Sequence, residues 1–396
     1  MPTSVAIGFS QAEDPKEAAH QASIMVKNEL NSVTMDMAIL IVSIHYAQKE
    51  IVDIIQTILK PTRLVGTSSL GVMLSHGVFN RGLALVGINS TDIHFGVGSH
   101  TLKEKEDFRQ FGFELSRQML SDYKATEPKR ASIIFYDSLV PYRSSFLLGA
   151  QDALGRTSKI ITAFSCDDFK LKTSYQFIQK QIQSQTVTGF IIGSDNPVIV
   201  SNKHGFKPLG KPRTITSVKG NIIQTIDNKP AIKIYEEYLK TEAQNIKSNF
   251  LNSPAIFYPL GLYLENLRQY LLRYPIDILD DGSIVCQAEV PPQTEVHLMI
   301  TNKDSCKIAA TIAAKEVKDM LGARQAQLLI LINSMTKHKI LGRNSYLEVQ
   351  AIKEVFGHTV PLVGLYSFGE ICPLNLYDSK LESPLENASL SLIAIS

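Results

Sequence analysis

The sequence predicts an α/β fold in which repeated strand-helix-strand-hairpin units form mixed sheets covered by helices, in two domains. Three observations support this prediction. A chain of 396 residues is too long for one ordinary hydrophobic core. Its composition, 44% hydrophobic and 20% charged, is typical of a globular protein with a large interior. One order of elements, in which an apolar strand, a helix and a second strand lead into a small polar turn, occurs three times.

The first unit shows this order clearly. After a short strand, Asp14 and Pro15 mark the start of a helix, because Asp is a good cap and Pro suits the first helical position. The almost wholly apolar run 37–44 predicts a central strand that is covered on both faces. Helix-spaced isoleucines predict a helix at 50–59, which Pro61 stops.

The second and third units repeat this order. Apolar runs predict strands at 131–136, 159–164, 327–332, 359–365 and 388–395, and helical periodicity predicts helices at 103–123, 144–154, 308–321 and 345–356. Strands are also predicted at 82–88 and 93–98. The segments 186–193 and 197–201 are expected to pair as a hairpin around the Ser194-Asp195-Asn196 turn.

Between the second and third units the composition changes. Pro208, Gly210 and Pro212 lie in a linker-like run, so we divide the chain into an N-terminal domain at 1–210 and a C-terminal domain at 211–396.

The beginning of the C-terminal domain has its own turn signals. A strand, a turn and a helix are predicted over 222–239, and a strand at 295–300. The Asp280-Asp281-Gly282 sequence indicates a hairpin turn and is not expected to bind a metal ion.

The third polar turn, within 364–374, is the richest in chemistry. An apolar strand leads into Ser367, Gly369 and Glu370, and Pro373 follows. Related strand ends occur at 65–74 and 161–169, but neither carries a Gly-Glu pair.

Ligands of parallel sheets collect outside the carboxyl ends of the strands. The small polar and charged residues expected at that edge are Ser43, His45, Thr67, Ser68, Ser69, Asp137, Ser138, Ser165, Asp167, Asn333, Ser334, Ser367 and Glu370. Such residues also commonly satisfy their own turns. Because every unit ends its strands this way, we favour a shared pocket.

Two of the charged candidates have alternative roles. Glu370 can bind a ligand amine, act as a base, cap a loop or pair with Arg343. Arg343, which follows a glycine at a helix entrance, can hold a carboxylate with two hydrogen bonds or serve as a structural partner of an acid.

Charge, motifs and hydropathy exclude several classes. A net charge of +2 gives no basic field for nucleic acid. No signal sequence or apolar run of membrane-spanning length is found, so a cytoplasmic protein without membrane contact is expected. The four cysteines lack zinc spacing and are expected to be free buried thiols. Since no catalytic motif is complete, we expect no enzyme and no catalytic residues.

Several motifs together resemble the FIST family, with its N-terminal and C-terminal regions, over nearly the whole chain. They are Val65-Gly66-Thr67-Ser68-Ser69-Leu70-Gly71, the run from Gly220 to Tyr235 around Asp227-Asn228-Lys229-Pro230, Gly342-Arg343, and Gly364-Leu365-Tyr366-Ser367-Phe368-Gly369-Glu370-Ile371. The sequence departs from the family pattern in having Asn333-Ser334 where Ser-Cys is frequent, and Asn387-Ala388-Ser389 where Asn-x-Thr is frequent.

The resemblance implies a cytoplasmic sensory module that binds a small ligand and regulates a separate signalling protein, such as a histidine kinase or a cyclic-dinucleotide enzyme. Stand-alone relatives include the NosP group, which binds haem and senses nitric oxide. By this likeness the ligand is non-covalent b-type haem. An amino acid or other small metabolite is the alternative ligand, and the alternative classes are an enzyme using Cys166 or Glu370 and a scaffold without ligand.

If haem binds, one histidine must be its axial ligand. Such a residue is neutral, flanked by apolar side chains and placed at a pocket wall. His45 follows an apolar strand and has the best context, although an ordinary strand-end histidine gives the same pattern.

Overall fold

The computed structural model describes residues 3–32, 35–141, 144–156, 158–170, 172–239, 254–265, 268–372 and 385–396. Within these residues the strands are β1 Ser4–Ser10, β2 Met35–Ser43, β3 Pro61–Ser69, β4 Val72–Leu74, β5 Gly77–Phe79, β6 Leu83–Asn89, β7 Ile93–Thr101, β8 Lys129–Asp137, β9 Lys159–Ser165, β10 Gln176–Ile178, β11 Gln181–Gln183, β12 Thr186–Ser194, β13 Val198–Lys203, β14 Lys207–Lys219, β15 Ile222–Ile226, β16 Lys229–Pro230, β17 Leu260–Leu264, β18 Gln269–Arg273, β19 Pro275–Ile278, β20 Ile284–Cys286, β21 Glu295–Ile300, β22 Leu328–Ser334, β23 Leu362–Ser367, β24 Glu370–Ile371, β25 Leu385–Glu386 and β26 Leu390–Ile395. The helices are α1 Pro15–Leu30, α2 Lys49–Leu59, α3 Phe108–Asp122, α4 Ser144–Leu154, α5 Lys233–Leu239, α6 Lys303–Leu321, α7 Met335–Leu341 and α8 Tyr346–Phe356.

Three six-stranded sheets share one plan. Sheet 1 has the order β1-β6-β2-β3-β10-β11, sheet 2 the order β7-β12-β8-β9-β24-β25, and sheet 3 the order β13-β26-β22-β23-β4-β5. Each has a parallel pair at its centre (β2 with β3, β8 with β9, β22 with β23) and antiparallel strands on both sides. In chain order, we call β1–β6 with α1 and α2 unit 1, β7–β12 with α3 and α4 unit 2, and β13 and β22–β26 with α6, α7 and α8 unit 3. The predicted fold class, repeated units that form mixed sheets covered by helices, is confirmed.

The units exchange their hairpins in a cycle. The hairpin β4–β5 of unit 1 pairs with β23 in sheet 3, β10–β11 of unit 2 pairs with β3 in sheet 1, and β24–β25 of unit 3 pairs with β9 in sheet 2. Every sheet is therefore completed by residues distant in sequence, and the three units depend on one another. These pairings join residues on both sides of position 210, and the placing of a domain boundary there stays a prediction.

The cores follow from this arrangement. The inner faces of the three sheets share one hydrophobic core, to which all three units contribute. On its outer face each sheet is covered by helices of its own unit, α1 and α2 on sheet 1, α3 and α4 on sheet 2, and α6 and α8 on sheet 3. Central strands such as β2 and β22 are buried on both faces, which explains their unbroken apolar sequences.

A separate core belongs to residues 204–302, which lie between β13 and α6 and which we call the inserted region. Its strands form an eight-stranded antiparallel sheet with the order β18-β17-β21-β14-β15-β20-β19, and β16 pairs with β15. The predicted turns at Asp227-Asn228 and at Asp280–Gly282 are confirmed. Ala388, from unit 3, packs in this core and connects the two parts.

Helix α3 and helix α4 approach each other unusually closely. A Cβ atom on Gly149 would lie 1.8 Å from the Arg109 carbonyl oxygen, and one on Gly112 would lie 2.0 Å from the Phe146 carbonyl oxygen. Glycine on both helices is thus required for this contact. Asp107 begins α3 by accepting hydrogen bonds from the amides of Arg109 and Gln110.

Some details of the prediction are wrong. The segments 186–193 and 197–201 do not form a hairpin, because β12 lies in sheet 2 between β7 and β8 while β13 pairs with β26 in sheet 3. Polar residues between two strands indicate a turn but do not determine which sheet the second strand joins.

No helix in the described ranges combines the length and hydropathy needed to cross a bilayer.

Candidate functional site

The carboxyl ends of β3, β9 and β23 meet, and their serines join the units. The Ser69 hydroxyl accepts a hydrogen bond from the Tyr366 amide at 2.9 Å and lies 3.0 Å from the Tyr366 carbonyl oxygen. The Ser367 hydroxyl repeats this arrangement with the amide and carbonyl of Phe164, at 2.7 Å and 3.1 Å. Both side chains are completely buried. These two predicted site residues therefore connect the backbones of neighbouring units.

Ser165, the last residue of β9, is the third strand-end serine, and we call Ser69, Ser165 and Ser367 the serine ring. The hydrogen bonds of Ser165 differ from those of the other two. Ser165 donates to the Tyr136 carbonyl at 3.1 Å, accepts from the Gln176 amide group at 2.8 Å, and contacts Ser174. Ser68 accepts from the Tyr175 amide at 3.0 Å. Thr67 is also buried, and its hydroxyl lies 3.2 Å from the Ser68 carbonyl. The structure thus brings Thr67, Ser68, Ser69, Ser165 and Ser367 together, as predicted from the strand ends.

The ends of the neighbouring parallel strands are also repeated. Ser43 exchanges hydrogen bonds with Gly82, the residue before β6. Ser334 donates its amide to the carbonyl of Ser389, the residue before β26. Asp137 instead accepts the amide of Gln185, the residue before β12. Burial raises the pKa of Asp137.

Among the described residues, unit 3 is the one that carries a completely buried ion pair. The Lys337 ammonium lies 2.6 Å from Glu348 Oε1, and neither side chain has any exposed surface. Asn333 donates from Nδ2 to Glu348 Oε2 at 2.6 Å. Burial favours the neutral lysine, but the negative charges of Glu348 and Glu370, with Cys306, more than offset it and raise the pKa of Lys337. The direction of this shift favours the charged form of the lysine.

Glu370 lies in the same region and joins two of the recognised motifs. It is completely buried in β24, and its Oε1 accepts hydrogen bonds from the Ser389 amide at 2.9 Å and from the Ser389 hydroxyl. Asn202 donates to Ser389 Oγ at 2.7 Å and to Ser391 Oγ at 2.9 Å. The Gly369-Glu370 pair and the Asn387-Ala388-Ser389 motif are therefore joined by hydrogen bonds between Glu370 and Ser389.

Asn387 connects this structure to the inserted region. Its Oδ1 accepts the Tyr274 amide at 3.0 Å, and its Nδ2 donates to Gln287 Oε1 at 2.6 Å. Ala388 has φ +58°, a left-handed conformation that costs energy for a residue other than glycine. We call Asn333, Lys337, Glu348, Glu370, Asn387 and Ser389 the unit 3 polar cluster.

His204 lies where the inserted region begins. Its Nδ1 accepts the Phe206 amide at 2.8 Å, so the ring is held in place. Burial, together with the positive charges of Lys337 and Lys203, lowers the pKa of His204 to about 4. At the other end of the region Thr301 donates to the Gly205 carbonyl at 2.8 Å. The two chain segments that link the inserted region to unit 3 are thus hydrogen-bonded to each other.

Two predicted site residues are exposed and lie apart from these buried groups. His45 is exposed in a 3₁₀ turn at Ile44–Tyr46, close enough to Asp168 to affect its charge. Arg343 is exposed in the 3₁₀ turn Gly342–Asn344, whereas Glu370 is buried beside Ser389. Pro373 and the segment that follows it lie outside the described residues.

Lys337 and Glu348 were not among the predicted site residues. A lysine two positions inside a short helix is typical of an exposed residue, and its partner lies eleven positions away on another helix. The type and spacing of these residues gave no signal of their burial.

Two surface grooves lie elsewhere. One, of about 380 Å³, lies between the β4–β5 turn and α8 and is lined by His76, Tyr346 and Lys353 among others. The second, of about 550 Å³, is lined by His100, Lys103 and Arg117 among others. Neither contains a predicted site residue, and no group of three His, Cys, Asp or Glu side chains in the described chain could hold a metal ion.

Comparison of the sequence with known protein families identifies the class of this α/β protein. The FIST N domain matches residues 36–229 and the FIST C domain matches residues 231–373. The chain therefore belongs to the FIST family. FIST domains are sensory domains that bind small ligands.

Among curated proteins no sequence match is found. Cyanuric acid hydrolase from A. caulinodans is similar in structure with a TM-score of 0.40 and 8% identity, over 99% of both chains. PurLQS from Thermotoga maritima has a TM-score of 0.22 and 8% identity, over 99% of this chain and 72% of its own. At these TM-scores the likenesses support no functional argument.

Proposed function

We propose that this protein is a cytoplasmic sensor whose unit 3 polar cluster binds a small polar ligand, an amino acid or a related metabolite. In this proposal the occupied protein regulates a separate signalling protein, such as a histidine kinase or a cyclic-dinucleotide enzyme. The observation that carries the proposal is the completely buried Lys337–Glu348 ion pair beside Glu370.

A buried ion pair is a poor way to stabilise a fold. Removing each charge from water costs several kcal/mol, and well-packed apolar residues of similar size are often as stable or more stable. In unit 3 this pair stands at the carboxyl edge of the parallel strands β22 and β23, where ligands of such sheets bind. A charged group of each sign at that edge suits a ligand that carries both an ammonium and a carboxylate group.

The position of the cluster also suits signalling. Asn387 and Ala388 connect it to the inserted region, through Tyr274, Gln287 and the core of that region. A ligand that binds one arrangement of the two parts better than the other shifts their equilibrium, by about 1–3 kcal/mol in typical allosteric couplings.

The proposal assigns the site binding and no catalysis. Cys166, which follows Ser165 in the chain, is completely buried and donates from Sγ to the Tyr366 carbonyl. Burial raises its pKa to about 12, so it is not a nucleophile at neutral pH.

Haem remains a prediction about the ligand, with nitric oxide as the signal. The residues around its predicted axial ligand do not fit the group well, because His45 is exposed and lies near the carboxylate of Asp168. Absorption spectra of the reduced protein, supplied with haem and then exposed to nitric oxide, test this directly. A Soret band that shifts with nitric oxide and is lost in His45→Ala would support haem, and the absence of any Soret band would exclude it.

A thermal-shift screen with amino acids and small carboxylates tests the main proposal. A ligand of the folded state must raise the unfolding midpoint. We expect this increase in the wild type and in Lys353→Met, a control on the surface of α8, and expect its loss in Lys337→Met/Glu348→Gln. A ligand that raises all three midpoints equally would contradict binding at the cluster.

Regulation of a signalling partner needs a second experiment. The autophosphorylation rate of a candidate kinase is measured with and without the sensor and its ligand, and an unchanged rate would exclude that kinase.

A further inference from the structure

Helix α6 presents an apolar pair to solvent. Ile308 is 57% exposed and Ile312 is 43% exposed, although α6 is otherwise packed through its alanine-rich side against sheet 3 and α8. Single exposed apolar side chains are ordinary, but two that are neighbours on one helix form a patch. The patch lies on unit 3, outside the polar cluster.

The patch is flanked by charges of opposite sign. With about 100° per residue, Asp304, Ile308, Ile312 and Lys315 fall within about 80° of the helix circumference. This face lies opposite the buried side, which is formed by Cys306, Ala309, Ala310, Ala313, Ala314 and Val317. Asp304 and Lys315 are exposed, and neither takes part in any ion pair found among the described residues.

The order of these residues makes the face complementary to itself. If two copies of α6 pack antiparallel about a two-fold axis between Ile308 and Ile312, Ile308 of one copy meets Ile312 of the other. Asp304 then lies within about 1.5 Å, one residue rise, of the level of Lys315 in the other copy. The two-fold axis generates this ion pair twice, and the same patch serves on both subunits.

A parallel arrangement lacks this match. It would place Asp304 beside Asp304 and Lys315 beside Lys315, so like charges would meet at both ends of the apolar pair. We infer that the exposed face of α6 is an interface with a second copy of this chain, and that the two helices pack antiparallel through Ile308, Ile312, Asp304 and Lys315.

Sedimentation velocity over a concentration series tests this inference. The wild type is expected to move from the chain mass of 43.9 kDa towards twice that mass as concentration rises. Ile308→Asp is expected to remain at the chain mass at every concentration. Met25→Asp, a control at a residue 48% exposed on α1, is expected to behave as the wild type. Circular dichroism spectra confirm that the variants are folded.

Charge exchange tests the antiparallel arrangement. Asp304→Lys and Lys315→Asp should each weaken the dimer, because each places like charges opposite each other, and the double variant should restore it. A wild type that stays at the chain mass up to its solubility limit would overturn the inference. So would a dimer that survives Ile308→Asp, or a double variant weaker than both single variants.

Discussion

The buried Lys337–Glu348 pair allows a sharp prediction about stability. Replacing Lys337 by Met removes the ammonium group and leaves the Glu348 carboxylate completely buried, with Asn333 as its hydrogen-bond donor among the described residues. Breaking one side of a buried ion pair costs about 3–5 kcal/mol, so Lys337→Met should lower the free energy of unfolding by that amount. Glu348→Gln alone leaves the ammonium without its counter-charge and should cost a similar amount.

The double variant separates the cost of an uncompensated charge from the value of the pair. In Lys337→Met/Glu348→Gln neither charge remains, and the glutamine oxygen can still accept from Asn333 Nδ2. We expect it to recover most of the lost stability, since replacement of both partners is often neutral. Urea unfolding followed by circular dichroism gives the four free energies of the cycle. Losses that simply add in the double variant, or a cost below about 1 kcal/mol for Lys337→Met, would refute the reasoning.

Three further predictions concern pH, the serine ring and helix packing. The pKa of His204 is lowered from 6.5 to about 4 in the folded state, so the unfolded chain binds more protons between these values. Stability should therefore fall as pH drops from about 6.5 to about 4, and His204→Gln should reduce this slope in urea titrations; an unchanged slope would contradict it. Ser69→Ala should cost about 1–3 kcal/mol, because the buried Tyr366 amide loses the hydroxyl that accepts from it, and a cost near zero would show that this serine does not hold the units together. Ser367→Ala should cost less, because the Phe164 amide also donates to the Gly369 carbonyl at 3.0 Å. Gly149→Ala should cost about 1–3 kcal/mol by forcing α3 and α4 apart, with Gln151→Ala as a control on the same helix, and equal unfolding midpoints would contradict the close contact.

The repeated units were predictable because their central strands are covered on both faces. A strand such as β22 must be apolar at every position, and the small polar residues at its end must follow where the chain leaves the sheet. The exchange of hairpins between units was not predictable. Strands of three residues such as β4 and β10 carry no local signal of the distant strand with which they pair.

The site was predictable in part for the same reason. The rule that parallel strands end at one edge correctly brought Ser69, Ser165 and Ser367 together. It gave no indication that their hydroxyls bond to neighbouring backbones. Lys337 was missed because the burial of a charge depends on a partner supplied by the tertiary fold, which no residue spacing encodes.

Isothermal titration calorimetry with the ligand found in the screen tests the central claim most directly. The comparison is between the wild type and Lys337→Met/Glu348→Gln, at a pH where both are folded. We predict saturable binding of one ligand per chain in the wild type and at least a tenfold loss of affinity in the double variant, equivalent to about 1.4 kcal/mol or more. Equal affinity in the two proteins would contradict the claim that the unit 3 polar cluster is the ligand site.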